Sequence, residues 1–471
     1  MNSAKSYLIL ITLLMSITCT AIPGFAASRY LDSAAQGASN GTSWGNAWTS
    51  FSQISGLSAG DTVFISGGAA GSSKTYTVTT VTPIAGSPGN PITYKIGQEP
   101  GHNGTAIFNT TGGAFVNIPN VIVSGDAGDN QMHFVFGSGG RPLDSNGDNI
   151  RISYVNCGNR QYGFFNNGGT NITIDHIYFR KINGGEDRFA YLNLRGNSWD
   201  VNKVHDCTIE LIRSESGEGD DGIQGSSSGL SIYNNKFIGY TGSYTNGQHQ
   251  DAWQQLAGEY VKIYNNYFQD IANYPIFADA YFGGFNHLWI YNNVVVITSA
   301  AIQKSAPPQG IVVGPDSGVY RNIGYWPSFN DIMIANNTIA DFGGHPCIML
   351  GNDPGQSSVF ADCVVFNNIC VNGNGFGIGE GIAAANNIKI SDGAGHFVIY
   401  APLSPSNDFR LLSSNTLFKD RGANLSSFFT TDKDGNVRNV GAWDIGAYEF
   451  NSGTGGNSDP VKAPSNVKII H

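Results

Sequence analysis

The sequence predicts an all-β protein, folded as a right-handed, single-stranded parallel β-helix with an N-terminal cap. Three observations lead to this prediction. A block of residues recurs along the middle of the chain, its spacing is nearly constant, and long helical patterns are scarce between residues 100 and 420. A fixed period of about 30 residues is typical of architectures in which each repeat buries its inner face only against its neighbours.

Each copy of the block is a short β-branched and aromatic strand that runs into an asparagine pair. Alternating apolar and polar residues, as in Val261-Lys262-Ile263-Tyr264, give the two-residue period of a half-buried strand. The copies read LSIYNNKF at 230–237, VKIYNNYF at 261–268, LWIYNNVV at 288–295, IMIANNTI at 332–339 and VVFNNICV at 364–371. Aligned on the aliphatic predicted to be buried, with steps of 30, 28, 31, 27, 44 and 31 residues, the series is Ile174, Val204, Ile232, Ile263, Ile290, Ile334, Val365.

The asparagine pairs are predicted to form the corners of the coil. Asparagine tolerates the left-handed backbone that a tight corner needs. Asparagines at the same corner of successive rungs can also hydrogen-bond along the stack. We therefore expect a structural rather than a catalytic role for them, and the 62 glycines agree with a chain rich in turns.

Four segments resemble a known group of proteins. SIYNNKF and KIYNNYF resemble the repeats of secreted right-handed parallel β-helix proteins of the pectate-lyase-like superfamily. The stretch from Arg29 to Gly68 resembles the opening of many bacterial members, and NVGAWDIGAYEF at 439–450 is similar to their closing strand. The resemblance covers about residues 29–450 and implies the fold. It does not name a substrate, because this superfamily includes lyases, hydrolases, esterases, epimerases and non-enzymatic surface proteins.

The ends of the chain differ in composition from the middle. Residues 1–27 have the features of a secretory signal peptide: Lys5, the apolar run YLILITLLMSITC, and GFA before Ala27. We expect one β-helix domain over 28–450, with the cap and first rungs in 28–100. The Gly-, Ser- and Pro-rich stretch 451–471 is expected to be a linker and short tail. These features predict a bacterial protein that is secreted or held at the cell surface, with no membrane span.

The charge of the chain restricts the classes of molecule that it can bind. The net charge is −10 with 25 basic residues, which argues against nucleic acid, because phosphate binding needs a clustered basic face. An acidic polysaccharide stays open as a partner, but it would require a local basic patch or a bound cation.

After signal cleavage five cysteines remain, so at least one thiol is free, and we expect Cys207 and Cys363 to be core thiols.

Counting back from each repeat strand aligns four polar blocks, which are the candidate site. They read YLNLRG at 191–196, DDGIQG at 220–225, HQDAWQQ at 249–255 and FADAYF at 277–282. The small or apolar set Leu194, Gly222, Ala252 and Ala280 is expected to face inward, because residues two apart in a strand share a face. The opposite face and its margins would carry Asn193, Arg195, Asp221, Gln224, His249, Asp251, Trp253, Gln254, Asp279 and Tyr281.

These residue types suit carbohydrate chemistry. Carboxylates on adjacent rungs, about 4.8 Å apart, raise one another's pKa, so that one of Asp221, Asp251 and Asp279 stays protonated as an acid while another acts as a base. His249 is a second acid or base candidate. The side chains expected to contact sugar are Trp253, Tyr281, Gln224, Gln254, Asn193 and Arg195, of which Arg195 suits a uronate carboxylate.

Structural alternatives stay open for each of these residues. Asp221 and Asp251 could instead hold Ca²⁺ or cap turns. Gln224 and Gln254 fit a hydrogen-bonded ladder better than a ligand site. Trp253 belongs to the core if the register shifts by one residue.

The 44-residue step contains an insertion, at about 299–330, that we expect to overhang the site. Insertions in stacked repeats go to loops, often on the binding side. Tyr325 or Trp326 is expected to lie near the cleft. If the reaction is an elimination, the candidates for the base are Lys304, Arg321, Arg195 and His249.

The sequence therefore predicts a secreted, monomeric enzyme that cleaves an extracellular, uronate-containing or neutral polysaccharide. A lyase and a glycoside hydrolase are about equally supported, and no cofactor other than Ca²⁺ is suggested. The alternative is a non-catalytic carbohydrate-binding protein of the cell surface or matrix.

Overall fold

The computed structural model describes residues 26–139, 141–159, 163–181, 187–211, 220–239, 250–305, 308–315, 326–438 and 441–450. The strands in the first part of these ranges are β1 Ser28–Leu31, β2 Thr62–Ile65, β3 Ser73–Val78, β4 Ile92–Ile96, β5 Thr105–Thr110, β6 Val121–Ser124, β7 Phe134–Gly139, β8 Leu143–Ser145, β9 Ile150–Asn159, β10 Phe164–Asn167, β11 Ile172–Lys181 and β12 Asp187–Asn193. A 3₁₀ helix at Phe51–Gln53 lies between β1 and β2.

Short strands continue to the C-terminal region. They are β13 Asn202–His205, β14 Thr208–Leu211, β15 Asp220–Gly225, β16 Leu230–Tyr233, β17 Lys236–Ile238, β18 Trp253–Gln255, β19 Gly258–Tyr264, β20 Tyr267–Gln269, β21 Ile276–Asp279, β22 Phe285–Tyr291, β23 Val294–Val296, the helix α1 Ala300–Ser305, β24 Ile311–Gly314, β25 Ser328–Ala335, β26 Thr338–Ala340, β27 Ile348–Leu350, β28 Val359–Ala361, β29 Val364–Phe366, β30 Ile369–Val371, β31 Phe376–Ile378, β32 Ala383–Ala385, β33 Ile388–Ile390, β34 Phe397–Ile399 and β35 Asp408–Leu411.

Two large parallel sheets wind into one coil. We call the 24-stranded sheet the repeat sheet, and the nine-stranded sheet, made of β8, β10, β12, β15, β18, β21, β24, β27 and β31, the site sheet. Each central rung runs through one site-sheet strand and then two short repeat-sheet strands, as in β15–β16–β17 and β18–β19–β20. Each strand pairs with its counterpart on the next rung, which is the arrangement of a parallel β-helix. The predicted fold class is confirmed.

The predicted core series is also confirmed, residue by residue. Ile174 pairs with Val204, and the pairing continues through every later member as far as Val365. All seven side chains are buried. They form one column inside the coil because a strand with period two turns the same face inward on every rung.

The two asparagines of each pair have different structural roles. The first, such as Asn265, takes a left-handed backbone, with φ of 57°. The second is buried and joins a ladder along the stack: the amide of Asn266 donates to the Oδ1 of Asn293 (3.1 Å), and that of Asn293 donates to Asn337 (3.0 Å). The same bonding runs through Asn235, Asn266, Asn293, Asn337, Asn368 and Asn387. The structural role predicted for the pairs is what the hydrogen bonds show.

The C-terminal region covers the outer face of the repeat sheet on its later rungs. The rings of Tyr291 and Phe429 stack at 4.3 Å, and Phe429 in turn packs against Trp443. The segment expected to close the coil as a strand carries only an isolated bridge, Gly422 to Trp443, within 441–450. Its apolar residues Trp443, Ile445 and Ala447 are nevertheless buried, so it closes the domain by packing.

The five cysteines in the described ranges divide into a pair and three free thiols. Cys347 and Cys370 form a disulfide, while Cys157, Cys207 and Cys363 are free and buried. The expectation of core thiols at Cys207 and Cys363 is met.

The interval 299–330 is only partly loop. Its described residues include α1 and the ordinary site-sheet strand β24, and the rest of the long step falls largely outside the described ranges. The predicted signal peptide before residue 26 and the tail after residue 450 also lie outside them. Among the helices in the described ranges, none has the length and apolarity to cross a bilayer.

Candidate functional site

The outer face of the site sheet presents one continuous row of side chains, which we call the middle row. Its members are in register across all nine strands, one per rung. In order along the coil they are Asp144, Phe165, Tyr191, Gln224, Gln254, Phe277, Val312, Met349 and Gly377. The row changes from charged and aromatic, through amide, to apolar.

The two aromatic rings near the start of the row have their faces covered. Phe165 and Tyr191 stack on each other at 5.6 Å. The guanidinium of Arg141 lies 4.9 Å from the centre of the Phe165 ring, and that of Arg188 lies 5.5 Å from that of Tyr191. This part of the groove therefore offers guanidinium groups and ring edges to a ligand, rather than open ring faces. Sequence reasoning missed these four residues, because only the register places them in one line.

The middle of the row is an amide ladder. Gln224 accepts a hydrogen bond from Arg188 and donates to the Oε1 of Gln254. The Nε2 of Gln224 also lies 3.1 Å from the Oδ2 of Asp221. The bonding matches the ladder that the sequence favoured for Gln224 and Gln254 over a ligand site.

Asp221 and Asp251 lie on adjacent rungs, as predicted, but both are buried. Asp221 is 4% exposed and Asp251 is 0% exposed. The Oδ1 of Asp221 accepts the backbone N–H of Asp251 (3.3 Å), and the Oδ1 of Asp251 accepts that of Tyr274 (3.2 Å). Burial, reinforced by the charges of Asp221 and then Asp279, raises the pKa of Asp251 well above its usual value. Asp251 is thus an interior carboxyl whose raised pKa favours its neutral form.

Asn193 and Asp279 do not align with Asp221 and Asp251 as predicted. The register instead puts Asn193 beside Ser226, and Asp279 beside Gly314. The cause is the corner that follows each site-sheet strand. Ala190 and Ile223 occupy the same position on their rungs, but Ala190 precedes Val204 by 14 residues, whereas Ile223 precedes Ile232 by nine. Counting back a fixed number of residues from the repeat strand therefore stops about five residues short of the true counterpart wherever the corner is long.

The prediction that Trp253 faces a sugar is wrong. Its side chain is 0% exposed and pairs across rungs with Ile223. Two successive residues, Ala252 and Trp253, turn inward at this point. The rung before does the same, because a Cβ on Gly222 would lie 3.2 Å from the ring of Phe237 in the core. Because two successive residues face inward, the alternation of inward and outward side chains shifts by one residue. Gln254 therefore faces outward at the point where the sequence predicted Trp253.

A cavity of about 590 Å³ opens at the apolar end of the middle row. Its walls include Tyr274, Phe277, Asp279 and Asp353. The Tyr274 and Phe277 rings stack at 4.3 Å. The pKa of the Tyr274 hydroxyl is raised by burial and then by the charges of Asp251, Asp279 and Asp353, so this hydroxyl lies in the field of three carboxylates. Asp353 was not predicted, because it lies on a rung beyond the four aligned blocks.

The remaining candidates are dispersed. Arg195 is exposed and pairs with Asp148 at 3.3 Å. Tyr281 is 42% exposed and follows Asp279 by two residues, as expected for an outward residue. His249, Arg321 and Tyr325 lie outside the described residues, as does the side chain of Lys304, while Trp326 is half-buried. Within the described ranges, no three His, Cys, Asp or Glu side chains are placed to hold a metal ion.

Comparison with known proteins finds similarity to solved β-helix structures. Pectate lyase Pel9A is 14% identical with a TM-score of 0.47, and the alignment covers 91% of this chain and 98% of that one. A mutant tailspike protein of E. coli bacteriophage HK620, in complex with a pentasaccharide, is 14% identical with a TM-score of 0.45 over 70% of this chain and 60% of its own. A rhamnogalacturonan lyase is 12% identical with a TM-score of 0.42 over 80% and 91%. No protein-family model and no curated protein sequence matches this chain.

Proposed function

We propose that this protein is a secreted enzyme that binds a polysaccharide along the middle row and cleaves it at the cavity. The observation that carries the proposal is the cavity itself, where Asp279, Asp353 and Tyr274 line one space at the apolar end of the middle row. A linear polymer fits a row that crosses nine strands, because each rung adds about 4.8 Å.

The chemistry that these residues support best is hydrolysis. Hydrolysis of a glycosidic bond needs two carboxyl groups on either side of that bond, one to protonate the leaving oxygen and one to act as base or nucleophile. Asp279 and Asp353 are the pair that the cavity supplies, and the described part of its lining contains no Lys or Arg to act as the base of an elimination. At the other end of the groove, Arg141 and Arg188 suit an acidic sugar.

A second candidate is a non-catalytic glycan-binding protein. The burial of Asp221 and Asp251 favours it, because these carboxyls hold backbone N–H groups of neighbouring rungs instead of facing the groove. In that case the groove binds sugar and the cavity performs no chemistry.

The test is cleavage of polygalacturonate, alginate and a neutral glucan by the full chain and by Asp279→Asn. New reducing ends without unsaturated-uronate absorbance identify a hydrolase, and both together identify a lyase. Asp279→Asn is expected to lower turnover by at least about 100-fold, since it removes a proton-transfer group while keeping the shape of the side chain.

A matched control is Asp392→Asn, which alters an exposed carboxylate that accepts only a local backbone bond from Ala394 (2.9 Å). Its activity should equal that of the unchanged protein. Binding without cleavage of any of the polymers would support the non-catalytic alternative, and full activity in Asp279→Asn would remove this residue from the mechanism.

A further inference from the structure

Several aromatic rings on the outer surface of the described part of the chain have their faces covered. Phe165 and Tyr191 lie between two arginines, as described above. On the repeat sheet, Tyr233, Tyr264 and Tyr291 stack on one another at 4.9 Å from rung to rung. Rings arranged in this way show only their edges to solvent.

Phe282 is the exception. It is 66% exposed, more than any other Phe, Tyr or Trp in the described ranges. Its one ring contact among the described residues is with Tyr281, nearly perpendicular at 88° and 4.8 Å. Such an edge-to-face contact covers at most one face of the Phe282 ring, so an apolar face stays open to solvent.

The ring is held at a defined place by its backbone. The N–H of Phe282 donates to the carbonyl of Leu256 on the preceding rung (2.9 Å), and the N–H of Tyr281 lies 2.6 Å from the carbonyl of Asp279. Two residues on, a Cβ at Gly284 would lie 1.8 Å from the carbonyl oxygen of Ser328, so only glycine lets the chain pass so close to the next rung. The pair Tyr281–Phe282 is thereby fixed where the strand that carries Asp279 ends.

This pair follows Asp279, a residue of the cavity wall, in the chain. Asp279 lines the cavity and is 7% exposed, Tyr281 two residues on is exposed, and Ala280 between them is fully buried. Tyr281 thus follows the residue proposed to act in cleavage by two positions, at a tight turn after the end of β21. An exposed aromatic face beside a polar cavity suits the apolar C–H face of a sugar ring, whose hydroxyls then remain free for the polar groups of the groove.

We infer that Tyr281 and Phe282 form a stacking platform for one sugar ring of the bound polysaccharide, next to the cavity that contains Asp279. The inference rests on the proposed function and adds a specificity-determining position to it: the ring at this position must be a pyranose with an unbroken apolar face. Substituents that project from that face would prevent stacking.

The experiment measures the Kd for purified oligosaccharides of polygalacturonate and of a β-linked glucan by calorimetry. It uses the full chain carrying Asp279→Asn, so that binding is measured without cleavage. Adding Phe282→Ala is expected to weaken binding by about tenfold, the loss of one ring contact of about 1.4 kcal/mol. Phe282→Leu should weaken it equally, because leucine is apolar but not flat, whereas Phe282→Tyr should retain the original Kd.

Val359→Ala is the matched control, since Val359 is 65% exposed but lies on the repeat sheet. It should leave the Kd unchanged. If oligosaccharides bind equally well to the Phe282→Ala protein, the platform is refuted while the proposed function stands. If no oligosaccharide binds even with Phe282 intact, both fail together.

Discussion

Two series of buried polar side chains run along this β-helix, and their hydrogen bonds differ. In the repeat sheet, Asn266, Asn293 and Asn337 are buried, and each bonds to the next. In the site sheet, Asp221 and Asp251 are buried on adjacent rungs, and each accepts a backbone N–H of the neighbouring rung. The spacing of the rungs is the same in both sheets, so the difference comes from the side chains.

An amide can extend a ladder indefinitely, because it both donates and accepts. Each Asn in the series donates its Nδ2 to the next Oδ1 and also to a backbone carbonyl, so its polar groups are satisfied at every rung. An ionised carboxylate only accepts, and two of them on adjacent rungs repel. The asparagine ladder therefore strengthens the scaffold over many rungs, while the Asp pair is short and raises the pKa of Asp251.

The largest expected effect comes from breaking the asparagine ladder at its middle. Asn293→Ala removes the acceptor of both the backbone N–H (3.0 Å) and the Nδ2 (3.1 Å) of Asn266, and also the donor to the carbonyl of Ile263. Each buried group left unsatisfied costs about 1–3 kcal/mol, so we expect a loss of about 4 kcal/mol in the free energy of unfolding. Chemical denaturation followed by far-UV circular dichroism measures it.

Asn286→Ala is the control for this change. Asn286 is half-buried in β22 and accepts a single bond from Asn330 (2.7 Å). Its loss should cost about 1 kcal/mol or less. Equal losses at Asn286 and Asn293 would show that the ladder contributes nothing beyond ordinary hydrogen bonds.

The repeat sheet could be predicted almost entirely from the sequence, and the physical reason is local. The inward aliphatic and the asparagine pair stand within one short block, so alignment of the blocks gives the register of the whole sheet directly. Ile263, Asn265 and Asn266 illustrate this: one faces the core, one takes the left-handed corner and one joins the ladder. No distant residue is needed to decide any of these roles.

The site sheet could be predicted only in part. The small inward residues Gly222 and Ala252 and the adjacency of Asp221 and Asp251 follow from the count. The inward turn of Trp253 and the offset of Asp279 from Asp251 do not follow from it, because a bend and a corner of variable length stand between these residues and the repeat block. Such irregularities depend on packing across rungs, which the order of residues does not encode in any regular spacing.

A smaller change in the free energy of unfolding, in this case a gain, is expected from a substitution in the pair Asp221 and Asp251. Asp251→Asn keeps an acceptor for the N–H of Tyr274 and removes an ionisable group whose pKa is raised by burial and by the charge of Asp221. At pH 8 we expect the substitution to stabilise the fold by about 2 kcal/mol, the order of the cost of burying a polar group without full compensation. Thermal unfolding as a function of pH measures the change.

The raised pKa of Asp251 determines how its contribution to stability changes with pH. Because the folded-state pKa of Asp251 is raised above the usual 3.8, the folded protein binds more protons than the unfolded chain once the pH exceeds that value. Its contribution to stability is therefore fully present below pH 3.8 and is lost as pH rises towards the folded pKa. The gain from Asp251→Asn should accordingly be large at pH 8 and vanish near pH 4. A constant gain across this range would show that ionisation is not its cause.

Asp270→Asn is the matched control for this prediction. Asp270 is also fully buried, but its carboxylate accepts bonds from the backbone N–H (2.6 Å) and hydroxyl of Thr298 and from Gln269. Removing the charge there should destabilise the protein, because those donors lose their stronger acceptor.

The smallest expected effect contrasts the open ring of Phe282 with a cluster of covered rings on the repeat sheet. There the ammonium of Lys262 lies 4.7 Å from the centre of the Trp199 ring and 5.6 Å from that of Trp289, and it pairs with Asp200 at 3.3 Å. The ammonium of Lys262 thus occupies the position over these rings where a ligand cation would bind. Its ion pair also links the corner that contains Trp199 to the strand that contains Lys262.

Lys262→Met keeps most of the apolar stem but removes the charge, and should lower the free energy of unfolding by about 1 kcal/mol. Lys236→Met, whose ammonium lies 5.8 Å from the centre of the Tyr267 ring, is the control and should change stability by less. If glycan binding by the Lys262→Met protein stays unchanged while its stability falls, the covered rings are structural and Phe282 is the ring left open for sugar. A loss of glycan binding would instead show that the covered cluster contributes to recognition.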